Sequence, residues 1–194
     1  RKGDTWGEPY NMGAPVNSDS EEYFPGLTRD GTIYFTRLEQ ETGANFIFRC
    51  RMENGGYLEA EKLDNNVNCG RVRFNAMIAP DESFIIVPAA GREDSLGGVD
   101  YYIVFRDENG RWTPPLNMGE TINSPTGQEW SAGLSPDGNY LFFMKSLKDT
   151  AFGDLPVGPE SLRRIAASPR NGDADIYWIR AGIIEKLRGA AAAR

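Results

Sequence analysis

The chain has 194 residues, 40% of them hydrophobic and 11% aromatic, which is enough for one sizeable core and too apolar for a chain disordered by composition. It holds no histidine and two cysteines, which removes Ser-His-Asp and Cys-His catalysis, His-ligated zinc and any four-thiolate zinc site. A net charge of −7 argues against broad binding to nucleic acid or anionic membrane, and no apolar run approaches the roughly 18 residues of a membrane span.

The chain opens on Arg1 rather than Met and without a signal-peptide pattern, which fits removal of an upstream leader or larger piece. Its first phrase runs Trp6-Gly-Glu-Pro-Tyr-Asn-Met-Gly13, then Val16-Asn17. An apolar stretch (Tyr23 to Leu27), a turn (Thr28-Arg-Asp-Gly31), a strand-like run (Thr32 to Thr36) and a second run (Asn45 to Phe48) follow. Met52-Glu-Asn-Gly55 closes the unit, and Asn-Gly is the strongest short hairpin signal because both residues tolerate positive φ.

The same order then recurs twice. A degenerate second copy reads Tyr57 to Leu63, Val67-Asn68, Phe74 to Ile78, Ala79-Pro-Asp-Glu82, Ser83 to Val87 and Asp100 to Val104. Asp107-Glu-Asn-Gly110 leads into the third: Trp112-Thr-Pro-Pro-Leu-Asn-Met-Gly119, Ile122-Asn123, Trp130 to Leu134, Ser135-Pro-Asp-Gly138, Tyr140 to Met144 and Asp175 to Ile179. In all three copies 11 residues separate the opening aromatic from the Asn. The turn Asp bonds back to its own backbone, Pro presets φ, and short aromatic and β-branched runs flank each turn. Each repeat, at about 5–55, 56–110 and 111–180, is therefore expected to give four short antiparallel strands, a to d.

The third repeat carries an insertion between its b and c runs, from about Leu147 to Asp173. Gly158 to Ala167 reads as a short helix within it, with Pro159 in the first turn, Glu160 near the positive N-terminus and Pro169 as a stop. It reads as a cover for a sheet edge or as a ligand contact. After Ile179, residues 180–188 read as a short amphipathic helix or extra strand, and the alanine-rich 189–194 as a flexible tail.

The phrases carried best by Trp112 to Asn123, Leu134 to Phe143 and Asp175 to Trp178 resemble the WD40-like (PD40) repeat of the TolB type, over residues 5–180. The second copy departs from it, with Tyr57 for Trp, no Asn-Met-Gly, and Glu82 where Gly is usual. The resemblance implies an all-β chain of β-propeller blades, commonly six to a ring, in bacterial periplasmic or secreted proteins that mostly serve as binding or assembly platforms. Here the strands are permuted. Trp6 to Met12 is a d-type phrase ahead of any a strand, and the last c strand has no d strand after it. Three blades are too few to close, so residues 1–188 read as one propeller domain or half-propeller. Either the chain is half of a longer propeller, or two copies pair into six blades with Trp6 to Met12 of one completing the last blade of the other.

Propeller geometry puts the d-to-a and b-to-c loops on one face. Exposed candidates there are Glu21, Glu22, Arg71, Arg73, Gln128, Glu129, Trp130, Arg163 and Arg164, a mixture suited to a protein, peptide or sugar ligand, or simply solvated loop charges. Asn171-Gly-Asp173-Ala-Asp175 alternates oxygen ligands like a calcium loop but lacks the distal bidentate Glu, so Asp173 and Asp175 also read as the start of a strand, and no metal or cofactor is assigned. Cys50 and Cys69 are placed on opposite faces and are expected as free thiols. The leading expectation is a non-enzymatic binding or assembly module. The alternative is a glycan-active or other hydrolytic propeller using carboxylates at the channel mouth.

Overall fold

The computed structural model describes residues 3–148 and 158–192. The first sheet is formed by β1 (Glu22–Leu27), β2 (Ile33–Glu39) and β3 (Ala44–Cys50). A small hairpin of β4 (Met52–Glu53) and β5 (Gly56–Tyr57) turns the chain back, and β6 (Glu61–Lys62) joins the sheet as its fourth strand. The second sheet has β7 (Val72–Arg73) and β8 (Met77–Ile78) on one side of β9 (Phe84–Ala90), with β10 (Asp100–Phe105) and β11 (Leu116–Asn117) on the other. The third has only β12 (Gln128–Leu134), β13 (Tyr140–Lys148) and β14 (Asn171–Arg180), with α1 (Pro159–Ala166) between the last two and α2 (Gly182–Ala192) after them. Every pairing within the sheets is antiparallel.

Local chemistry makes the turns. The amides of Thr32, Ser83 and Asn139 each donate to the carboxylate two residues before them (Asp30, Asp81 and Asp137) at 3.1 Å. In the β4–β5 hairpin Asn54 and Gly55 both take positive φ, 51° and 82°, as a primed two-residue turn requires.

The innermost strands are less regular than the apolar runs suggest. Register slips between Tyr23 and Gly26 in β1 and between Glu129 and Ala132 in β12, and Phe74 to Ile78 is not one strand but a break between β7 and β8. Phe24 and Asn75 take positive φ at these breaks, 53° and 47°. Pro88 lies opposite the second break. Its carbonyl accepts the Phe74 amide at 3.4 Å, so the missing N–H faces the gap and not the β10 ladder.

The sheets pack face to face in chain order. Tyr34, Ile47 and Leu63 of the first meet Ile85, Val87, Val104 and Trp112 of the second, and Phe84, Ile86, Tyr101, Ile103 and Phe105 on its other side meet Leu141 and Phe143 of the third. Alternation along β9 and β10 thus feeds two cores, and each fully buried Ile or Val in them is worth about 1.5–3 kcal/mol. Ser131 and Thr36 link through Asn75, whose side chain donates to Ser131 Oγ (3.2 Å) and whose amide donates to Thr36 Oγ1 (3.1 Å), so one residue ties the inner parts of all three sheets.

Two asparagines fasten the outer strands. Asn68 Oδ1 accepts the Ile47 amide (2.7 Å), and Nδ2 donates to the carbonyls of Leu63 (2.8 Å) and Ile47 (3.1 Å). Asn123 repeats this on Tyr101, at 2.8 Å to the amide and 3.0 Å to the carbonyl.

The expected tail at 189–194 is corrected in part: α2 continues through Ala192. Ala is the best helix former, and Ile183, Ile184, Leu187 and Ala191 pack onto the core between the second and third sheets. No helix among the described residues is long and apolar enough to cross a membrane. Cys50 and Cys69 are free and buried.

Candidate functional site

On the loop face of the second sheet, Gly70, Arg71, Gly91, Arg92, Glu93 and Asp94 line an open cleft of about 620 Å³. The segment leading into β7 and the segment leaving β9 form its two walls. They are laced together by the Arg71 amide donating to Ala90 O at 2.8 Å. The approach is so close that a Cβ on Gly70, at φ 70°, would stand 2.5 Å from Ala90 O, so only glycine fits there.

Arg92 is held from two sides. Its guanidinium lies 4.8 Å from the centre of the Tyr102 ring and pairs with Asp94 at 2.9 Å. The Tyr102 hydroxyl donates to Asp94 Oδ1 at 3.2 Å, with Ser95 Oγ 3.1 Å away. Cys69 is buried nearby, in a small cluster with Ala89 and Tyr102, and burial pushes its thiol up to about 11. Arg71 differs from Arg92: it is exposed and has no ion-pair partner among the described residues.

Two of the expected exposed residues are turned inward. Arg73 is buried, its guanidinium 4.1 Å from the Phe46 ring centre, with Nη1 donating to Arg71 O (2.7 Å) and Nε without a partner among the described residues. It therefore supports the backbone of Arg71 instead of meeting solvent. Glu129 is 0% exposed. Its Oε1 accepts from Ser124 Oγ (3.1 Å) and its Oε2 has no partner among the described residues. Burial pushes its carboxyl up to about 7, and burial also lowers the ammonium of Lys145, its register partner on β13. The physical reason for both corrections is the break in the innermost strands, which decides which side chains turn into the sheet packing.

The remaining candidates are scattered. Glu21 is exposed as expected, whereas Glu22, the first residue of β1, is largely covered, its carboxylate paired with Arg37 at 2.7 Å. Gln128 is exposed beside Val99, to which it forms an isolated parallel bridge, and Trp130 is part-exposed on β12. Arg163 and Arg164 stand on α1, which buries none of its residues. The Asp173 amide donates to Asn171 Oδ1 (2.8 Å) and Asp175 accepts from the Arg170 amide (3.1 Å), and no metal-holding group of three acidic or cysteine side chains occurs among the described residues. Of the expected set, then, Arg71 lines the cleft, and Arg73 lies buried behind it. Gly70 and the segment Gly91 to Asp94 were not singled out from the sequence, although the second b-to-c connection was visible as a loop on the same face.

No family model and no curated protein matches the chain. In structure it is similar to a Hadza microbial sialidase (TM-score 0.41, 11% identity, 67% of this chain and 33% of that one). It is also similar to an exo-beta-1,3-galactanase from Clostridium thermocellum (TM-score 0.40, 15% identity, 84% of this chain and 31% of that one). A third similarity is to hydrazine synthase of Kuenenia stuttgartiensis (TM-score 0.32, 13% identity, 75% of this chain and 51% of that one). The chain thus spans between 31% and 51% of the length of these proteins.

Proposed function

We propose that the three sheets are successive β-propeller blades of the TolB-like kind and that the chain is a non-enzymatic binding and assembly module. Its loop face meets a protein, peptide or sugar partner. Face-to-face packing in chain order and the repeated Asn tie support the propeller reading. The observation that carries the binding reading is Arg71, an exposed guanidinium on a wall fixed by Gly70 and by buried Arg73. A planar fork held this way suits a carboxylate, so the favoured partner is an acidic peptide or acidic sugar. Hydrolysis is the second reading: Glu93 and Asp94 line the cleft, but Asp94 is tied to Arg92 and to the Tyr102 hydroxyl, and Asp100 and Glu129 are wholly buried.

The test is calorimetric titration with acidic oligosaccharides and acidic peptides chosen from an array, each beside its neutral counterpart. The wild type binds acidic members in preference to neutral ones. Arg71→Ala, an exposed position, weakens that binding about tenfold or more with thermal stability unchanged, in line with a charge-assisted bond. Equal affinities for wild type and variant would refute the reading.

A further inference from the structure

The start and the end of the chain carry matching features without counterparts among the described residues. Val16 is buried against Ile33, Phe35 and Cys50 on the outer side of the first sheet, just as Val67 lies between the first and second sheets and Ile122 between the second and third. The residues before it are different. Trp112 is buried in the core, whereas Trp6 and Tyr10 are each 84% exposed, and 6–12 pairs with no strand among the described residues.

The third sheet lacks what the first two have. Phe48 pairs with Phe35, Tyr102 with Val87 and Tyr177 with Phe143, so Ile176 occupies the position of Ile47 and Tyr101. In the complete sheets that residue is held by an asparagine side chain and by the amide of Leu63 or Met118, six residues after the opening aromatic. Ile176 has neither among the described residues and is 77% exposed, and Trp178 beside it is 63% exposed. Phe142 adds to the same exposed face, and Trp178 packs there edge to face against Tyr140 at 5.3 Å. The following helix α2 does not cover this face, since Ile184 packs instead into the core shared with the second sheet.

We propose that residues Trp6 to Asn17 of one copy form the fourth strand on β14 of a second copy. The Met12 amide and the Asn17 side chain take the Ile176 backbone as their counterparts take Ile47 and Tyr101. The outer face of the first sheet then covers Phe142, Ile176 and Trp178 of the second copy. Made reciprocally, the exchange closes a ring of six sheets from two copies, within the usual range of about 4–8 for radial arrays, whereas three copies would exceed it. The inference stands on residues apart from the Arg71 cleft, so either can fail without the other.

The experiment is light scattering on the full chain. The wild type has a mass of about 43 kDa, twice 21.5 kDa. Trp178→Arg, at an exposed position of the single copy, raises the dimer dissociation constant about thirtyfold or more and leaves circular dichroism unchanged. Asn17→Ala acts in the same direction. Mixing Trp6→Ala with Trp178→Arg, which leaves one junction intact, restores a dimer weaker than wild type. A wild-type mass of 21.5 kDa, a dimer indifferent to Trp178→Arg, or open polymers above 43 kDa would each overturn the proposal.

Discussion

Replacing Asn68 by alanine tests whether one amide replaces a strand ladder. In the wild type Asn68 makes three bonds, one to the Ile47 amide, one to the Ile47 carbonyl and one to the Leu63 carbonyl. The Ile47 carbonyl keeps a second partner, the Leu63 amide at 3.0 Å. Alanine therefore strands two buried groups, the Ile47 N–H and the Leu63 C=O. At about 1–3 kcal/mol for each orphan the loss is about 4 kcal/mol, a large part of the roughly 5–15 kcal/mol by which a domain is stable. With a urea slope of about 2 kcal/mol per molar, the unfolding midpoint falls by about 2 M. Tryptophan fluorescence in a urea series reads this directly. Asn17→Ala is the control: in one copy its backbone amide donates to Gly13 O and its side chain has no hydrogen-bond partner among the described residues, so under monomeric conditions it costs less than about 0.5 kcal/mol. A loss below about 1 kcal/mol for Asn68→Ala, or equal losses for the two variants, would refute the reasoning.

Glu129 gives a pH signature. Its carboxyl rises from 4.5 to about 7 on folding, so the folded chain binds more protons between those values, and stability is complete below about 4.5 and falls as pH rises to about 7. Glu129→Gln flattens this part of the profile of urea midpoint against pH, and an unchanged slope would count against a buried, charge-starved carboxyl. Gly70→Ala forces a Cβ to within 2.5 Å of Ala90 O at a positive φ. It lowers stability by about 2–3 kcal/mol, or the melting temperature by about 6–10 °C, and a change under about 2 °C in a calorimetric scan would mean that the cleft wall yields.

Features legible in the sequence were those made by neighbours in the chain. Each turn Asp caps an amide two residues on, and Asn54-Gly55 sets its own hairpin, so the repeat and its strands follow from short-range chemistry. Inward or outward direction in the innermost strands did not follow. Arg73 and Glu129 look like ordinary loop charges, but the break marked by Asn75 and the slip after Glu129 turn them into the packing. The cleft escaped because it joins loops about 20 residues apart, and the contact of Gly70 with Ala90 has no local pattern. From 189 on, the last helix reads as a tail in the sequence because an alanine run carries no period, and the packing of Ala191 is a long-range event.

The outermost strands β6 and β11 are only two residues long. The rim of the first two sheets is consequently fastened over a few residues and one asparagine instead of along a zipper, and hydrogen exchange there reports the release of that asparagine, well before the interior opens. A rim that peels so cheaply is also one that can be traded, because letting go of a borrowed strand requires no unfolding of the sheet that lent it.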